Sequence, residues 1–341
     1  MRLSTMFFTR LLAALLLSAL AALAVTNSAH AEGKLRIAQQ FGVVYLLLNV
    51  AQDQKLIEKH GQALGQPIQV EYVQLSGGNA VNDALLSGAI DVAGAGVGPL
   101  FTIWDRTNGR QNVKGVASLG NFPYYLVSTN AKVKTIADFT ERDRIALPAV
   151  SVSVQARILQ MAASQRWGAG EFARLDHLTL AVPHPDAAAA VIAGRTEIGS
   201  HFGSPPFQEQ ELAGNPNAHI VLNSYDVMKG PSSSTVLYAT EKFVKDNPKT
   251  YRAFVDALAE AAQIATRNPE LAADAYLRVT HAKIDRAFLI KVIRNPQFQF
   301  KVAPQNTLGL GRFMHQAGAI RKAPASWRDY FFDHPALASG S

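Results

Sequence analysis

The chain has 341 residues, 48% hydrophobic and 17% charged, with a formal net charge of +7 and no cysteine. The missing cysteines exclude disulfides, a thiolate nucleophile, cysteine metal sites and a lipid-attachment cysteine. Lys and Arg are scattered rather than gathered into a stripe or patch, which argues against a nucleic-acid partner.

Arg2 and Arg10 precede the apolar run Leu11 to Val25, and Ala29-His30-Ala31 supplies a small-x-small cleavage pattern. Together they predict a secretory signal peptide over residues 1–31. The run is short for a membrane span, which needs roughly 20 apolar residues. The mature chain would start near Glu32 and, in a bacterium, be addressed to the periplasm. Without Arg2 and Arg10 its net charge is +5, a mild field that either attracts anionic solutes or serves only solubility.

Leu35-Arg36-Ile37-Ala38 alternates as a first strand, and its end, Gln39-Gln40-Phe41, opens a loop. Tyr45, Leu48, Ala51 and Leu56 then predict one helix over Val43 to His60, stopped by Gly61. Ligands of open α/β sheets bind at strand carboxyl ends, so Gln39, Gln40, Phe41 and Tyr45 are candidate contacts or, alternatively, turn and core residues. Pro67 to Leu75 is a second strand, followed by Ser76-Gly77-Gly78-Asn79 and a helix Ala80 to Ser87. The free N–H groups at that helix start either dock a small anion or are closed by an ordinary N-cap.

Leu85-Leu86-Ser87-Gly88, Ile90-Asp91-Val92 and the run Gly94 to Gly98 before Pro99 recur as Val191-Ile192-Ala193-Gly194, Glu197-Ile198, and Gly199 to Gly203 before Ser204-Pro205. Each copy reads as a helix stopped by a Gly in left-handed conformation, a short strand, and a Gly/Pro loop. Gly96, Val97, Gly98, Phe202 and Ser204 in those loops are candidate contacts. Two such units predict two similar α/β lobes.

Leu100 to Arg106 is a helix, and Val113 to Leu119 and Tyr124 to Ser128 are strands. Between them Asn121 and Phe122 either point into a cleft or form a tight turn. Ile145-Ala146-Leu147 is a strand leading to Ser151, Ser153 and Gln155 at the start of a helix that reaches Ala163. Leu178 to Val182 is another strand, after which Asp186 can cap an alanine-rich helix. His184 and His201 occupy strand-end loops; neither has His, Asp or Glu neighbours at a metal-ligand spacing, so they bond ligand, face solvent or pack. Strands His219 to Ser224 and Ser234 to Ala239 bring the chain back. Asn247-Pro248 and Asn268-Pro269 start long helices, and Trp327, Tyr330, Phe331 and Phe332 predict a final docking helix.

LRIAQQFG, QKLIEKHG, SGGNAVNDALLSGAIDVAGAGVGP, Lys134 to Phe139, Arg144 to Pro148, the second Gly-strand-Pro unit and Asn247 to Pro269 resemble, in order and spacing, periplasmic substrate-binding proteins of ABC importers in the nitrate, taurine and aliphatic sulfonate group. The resemblance covers nearly all of the mature chain. It implies an α/β two-lobe periplasmic binding protein fold of type II with a hinge of two crossing strands. It also implies lobe one over 32–125, lobe two over 126–228, and a return over 229–341 that completes lobe one. Ser76 to Asn79 and Ser151 to Gln155 would then face each other as a paired-helix anion clamp.

The expected partners are a small-molecule solute, a permease and its ATPase, with the protein a monomer, without cofactor or metal. Phe41, Phe122 or Phe202 would cover an apolar part of the ligand. The cleft loops offer neutral groups and His, with Arg157 the nearest cation, so a sulfonate and a neutral or aromatic solute both stay open. An enzyme is the rival class, but the chain has no Gly-x-Ser-x-Gly, no P-loop and no His-Glu-x-x-His. Gly94 to Gly98 mimics a dinucleotide fingerprint with Pro99 where its last glycine belongs. A related group of pyrimidine synthases with this architecture uses a cysteine-rich motif, absent here.

Overall fold

Among the described residues, ten strands form two five-stranded sheets. The computed structural model describes residues 32–194 and 196–341; the signal peptide expected over 1–31 lies outside them. The first sheet holds β1 (Lys34–Gln39), β2 (Gln69–Gln74), β3 (Val92–Gly96) and β4 (Lys114–Ser118). The chain then crosses to β5 (Tyr125–Ser128), β6 (Ile145–Leu147), β7 (Thr179–Ala181), β8 (Ser200–Phe202) and β9 (His219–Asn223), and returns with β10 (Thr235–Ala239). Strand orders are β2-β1-β3-β10-β4 and β7-β6-β8-β5-β9. In each sheet the first three strands run parallel, and the fourth, β10 or β5, is antiparallel to its neighbours. The antiparallel strand is the one that begins just after a crossing, so the two lobes are built alike around two connections.

Thirteen helices among the described residues cover these sheets: α1 (Leu46–Asp53), α2 (Leu56–Ala63), α3 (Gly78–Leu86), α4 (Val97–Thr107), α5 (Val154–Trp167), α6 (His184–Ala193), α7 (Phe207–Gly214), α8 (Ser224–Met228), α9 (Glu241–Asp246), α10 (Pro248–Arg267), α11 (Pro269–Thr280), α12 (Arg286–Ile293) and α13 (Leu308–Gln316). α10 and α11 start at prolines, as expected. α10 buries Phe254, Leu258, Ala261 and Ala262 against α1 and α2. None of the described helices is long and apolar enough to cross a membrane.

The repeat has the expected geometry at its glycines: Gly88 follows α3 at φ 74° and Gly194 ends α6 at φ 64°. Five local expectations are corrected. The strand of the second copy is Ser200–Phe202, so His201 and Phe202 lie in β8 rather than in a loop after Glu197-Ile198. The single helix over 43–60 is a 3₁₀ turn plus α1 and α2, broken where Lys55 adopts φ 50°; Gly61 is inside α2, because a Cβ there would lie 2.5 Å from Gln66 O. Gly94 to Gly96 belongs to β3 rather than to a loop, since Gly94 lies where a Cβ would meet Ala38 O at 2.6 Å. Asp186 sits in the first turn of α6, whose N-cap is Pro183. The C-terminal aromatics form a 3₁₀ turn over Trp327–Asp329. They dock through Phe331 beside Gly115 and the Trp104 Nε1–H donating to Asp329 O at 3.0 Å.

At the crossings a third segment joins in. Asn121 pairs with Gln299 through backbone bonds of 2.8 and 3.0 Å and a side-chain bond of 2.9 Å, while the Ser233 hydroxyl donates to Asn121 Oδ1 at 2.8 Å. Phe122 is fully buried edge-on against Phe298 and Phe300, with ring centroids 5.1 and 5.6 Å away. Asn121 and Phe122 therefore pack at the crossings, which keeps them out of the space between the sheets.

Candidate functional site

Between the sheets, at the carboxyl ends of β1, β3 and β6 and beside β8, lies a cavity of about 30 Å³. Its first wall is Gln40, Phe41 and Tyr45 with Gly78 and Gly96; its second is Ser153, Gln155, His184 and Ser204. Tyr124 and Thr235, one from each crossing, form the floor and hydrogen-bond to each other through their hydroxyls. Nine of the candidates named from sequence thus converge. Val44, Pro99, Tyr124, Pro148, Val154 and Thr235 complete the lining without having been singled out. Tyr124 and Thr235 were hidden because each reads as part of an apolar strand.

The lobes meet tightly around this cavity. Val43 N–H donates to Pro205 O at 2.9 Å across the cleft, and Gly42, at φ 108°, leaves space that a Cβ would fill to within 2.6 Å of the same oxygen. Gly96 and Gly98 lie where a Cβ would approach Val154 Cβ and Val152 O at 2.9 Å, and Gly77 likewise faces Pro148 O at 2.9 Å. The glycine-rich stretches are seams between lobes more than cradles for a ligand.

Most polar groups on the first wall are already engaged. Gln40 Nε2 donates to Gly94 O at 3.3 Å, its Oε1 accepts from Gly77 N–H at 3.1 Å, and the Tyr45 hydroxyl donates to Gly94 O at 3.2 Å. On the second wall Ser153 is the N-cap of α5 and accepts from Ala156 N–H at 3.2 Å. Ser204 differs: its hydroxyl oxygen is buried and has no partner within the protein. Burying a hydroxyl unpaired costs on the order of 1–3 kcal/mol, which a solute at this point would relieve.

The remaining candidates lie elsewhere. Ser76, Asn79 and Ser151 are exposed. α3 is capped by Gly77 without a side-chain bond, and Ser151 adopts φ 59° two residues before the cap of α5. Val97 is buried with its N–H on Ser234 O, and Phe202 is buried in β8 behind the wall. Arg157 turns its Nη1 to Gln160 Oε1 at 2.9 Å, away from the cavity. Gln39 lines a second, larger space of about 580 Å³ that shares Gln40, Phe41 and Tyr45 with the first. This vestibule opens between α6–α7 and residues 276–284, with Phe207, Tyr276, Ile284 and Lys283 on its sides. Lys283 is a cation near the cleft that sequence spacing did not associate with it.

His184 and His201, seventeen residues apart, meet: His184 Nδ1 is 2.7 Å from His201 Nε2, and His201 Nδ1 bonds to Glu211 Oε1. Gln155 Nε2 lies 3.2 Å from His184 Nε2, and Phe207 stacks on the His184 ring at 5.8 Å. Their sequence neighbours gave no hint of these partners, and nothing around Glu211 marks it as buried. The three groups form a line rather than a convergent set. Among the described residues no group of three or more His, Cys, Asp or Glu is placed to hold a metal ion.

Burial pushes Glu211 up to about 9, lowers His201 to about 3, and holds His184 well below its ordinary value, with the neighbouring His201 adding to the fall. Between about pH 4.5 and 9 the folded protein therefore keeps a proton on Glu211 that the unfolded chain has released, and stability falls as pH rises. Between about pH 3 and 6.5 the histidines act oppositely: the unfolded chain binds the extra protons, and stability rises with pH. Glu209, raised to about 7 by burial, adds to the fall up to that pH, and above about pH 7 the Glu211 effect stands alone. We expect the melting temperature to fall between pH 7 and 9, and Glu211→Gln to remove that fall; an equal fall in the variant would assign it to other groups.

Two similar α/β lobes joined by two crossings, closing on a polar cavity at strand carboxyl ends, define the periplasmic binding protein fold. The chain belongs to the NMT1/THI5-like family, whose model matches residues 65–272. Solved structures similar to it include one from Bordetella bronchiseptica RB50, at 18% identity and TM-score 0.70, covering 89% of this chain and 96% of that one. The alkanesulfonate-binding protein SsuA from Xanthomonas axonopodis pv. citri bound to MOPS matches at 18% identity and TM-score 0.62, covering 85% and 95%. The periplasmic nitrate-binding protein NrtA from Synechocystis PCC 6803 matches at 16% and 0.67, covering 88% and 84%. No curated protein sequence matches the chain.

Proposed function

We propose that this protein is the periplasmic solute-binding component of an ABC importer. It captures a small organic anion, an aliphatic sulfonate or taurine-like or nitrate-like solute, between its lobes and delivers it intact to a permease and its ATPase, acting as a monomer without cofactor or metal. Residues 32–125 and 229–341 form one lobe in this reading, and 126–228 the other. The observation that carries it is the cavity enclosed between lobes with an unpartnered Ser204 hydroxyl on its wall. A cavity of about 30 Å³ takes only a compact head group, since one water already needs roughly 10–15 Å³ on the same measure. The adjoining vestibule of about 580 Å³ suits an organic tail against Phe41 and Phe207, with Lys283 attracting the anion from outside. Nitrate would use the first space alone.

A neutral or aromatic solute is the second reading, favoured by one observation: no Lys or Arg lines the inner cavity. For an enzyme of the same fold the site offers little, because the Ser153 hydroxyl caps α5 and no cavity hydroxyl bonds to a histidine. The test is a thermal-shift series with ethanesulfonate, taurine, nitrate, benzoate and a neutral alcohol. A solute at 100 times its Kd stabilises by about 2.7 kcal/mol, so the true class is expected to raise the melting temperature by several degrees. A rise with the neutral alcohol and none with the anions would replace the first reading by the second; product formed from the bound solute would replace both.

A further inference from the structure

His184, His201 and Glu211 run inward from the cavity as one hydrogen-bonded line, with His201 and Glu211 fully shielded from solvent. A singly protonated imidazole donates at one nitrogen and accepts at the other, so the direction of the line is set as a unit. With Glu211 ionised, His201 donates to it, His184 donates to His201, and His184 Nε2 is left facing the cavity as an acceptor. With one more proton on the line, held at the Glu211 carboxyl, every bond reverses. His184 Nε2–H then becomes a donor facing the cavity, and the Gln155 amide beside it, which no longer finds an acceptor there, turns aside and leaves that hydrogen to a solute oxygen.

We propose that His201 and Glu211 are positioning residues that keep the line loaded with this additional proton, so that His184 presents a donor to the cavity and selects solutes with an oxyanion head. This rests on the solute-receptor reading given above. The second carboxylate oxygen, Glu211 Oε2, is buried with no partner, so an ionised Glu211 would leave charge uncompensated there, whereas the acid form leaves a far smaller penalty. A neutral donor also accounts for recognition of an anion where no Lys or Arg lines the inner cavity.

The groups around the line do not supply the same proton. Glu209, also on α7, is raised to about 7 by burial and takes the Gln208 amide on its own side chain. Tyr125 of β5 and, across the cavity, Tyr45 and Tyr124 are all shifted upward by burial and stay neutral. β6 brings no titratable side chain, and Arg157 of α5 turns away to Gln160. Asp186 of α6 is exposed, and His281 and Lys283 lie out in the vestibule.

The test uses the chain from Glu32 with ethanesulfonate as the probe. Affinity is measured by calorimetry from pH 7 to 10, beside ¹⁵N shifts of the histidine rings without solute. Wild-type affinity is expected to fall about tenfold per pH unit above about 9, with His184 carrying its proton on Nε2 at pH 7 and losing that form at the same midpoint. Glu211→Gln, whose amide donates at every pH, is expected to abolish both transitions, while Glu209→Gln retains them. An unprotonated His184 Nε2 at pH 7, or the same transitions in Glu211→Gln, would overturn the proposal. If ethanesulfonate binds none of the proteins while the ring shifts follow the expected course, the sulfonate reading fails and the proton relay stands.

Discussion

Gly96→Leu is expected to abolish solute-induced stabilisation while leaving the solute-free protein folded. Gly96 has extended backbone, φ −66° and ψ 159°, which a leucine adopts without strain. The cost falls on closure: a Cβ there would lie 2.9 Å from Val154 Cβ and Cγ1 in the opposite lobe. The rest of the side chain must then wedge the lobes apart. We expect at least a hundredfold loss of affinity, about 2.8 kcal/mol, and a larger radius of gyration by small-angle scattering. Gly309→Leu, where a Cβ meets nothing within 4 Å, is the control for inserting a leucine. Undiminished binding in Gly96→Leu would mean that solute is held without the lobes meeting at this seam.

Phe122→Ala is expected to produce the largest loss of stability. Removing a buried phenylalanine ring costs roughly 3–5 kcal/mol, through lost transfer energy and the cavity left behind. Phe122 is fully buried between Phe298 and Phe300, where three chain segments have little freedom to collapse inward. The measurement is the midpoint of urea unfolding at unchanged slope. The solute-dependent shift of the variant that remains folded is expected to persist, which separates a hinge role from a cleft role. Loss of binding with intact stability would return Phe122 to the ligand.

Most strands were legible because they are short apolar runs between Gly, Pro or Asn, whereas β8 was read at Glu197-Ile198 because its own Ser200-His201-Phe202 carries no apolar run; the repeat was legible because Gly88 and Gly194 stop equivalent helices in left-handed conformation. The cleft was legible on one rule, that loops at strand carboxyl ends bind, and it brought Gln40, Phe41, Ser153, Gln155, His184 and Ser204 to one cavity. What failed has a common cause. Ser76, Asn79 and Ser151 were chosen for capping chemistry, a local property, whereas the caps are Gly77 and Ser153. Gly94 to Gly98 was read as a loop with candidate contacts because composition cannot tell a glycine that frees N–H groups from one that lets another backbone approach. Glu211, Lys283 and the segment around Gln299 reach their places only through the fold of the whole chain, so no window of sequence contains them.

The hydroxyl pair of Tyr124 and Thr235 sits where the two connections leave one half of the molecule for the other. Points beside a pivot travel least when the halves swing, while rims travel farthest. On the solute-receptor reading proposed above, cargo would land first on a surface that changes little as the halves swing, and the distant edges would fold over it afterwards. Recognition would then be staged by lever arm, with the earliest contact also the last to be broken on release.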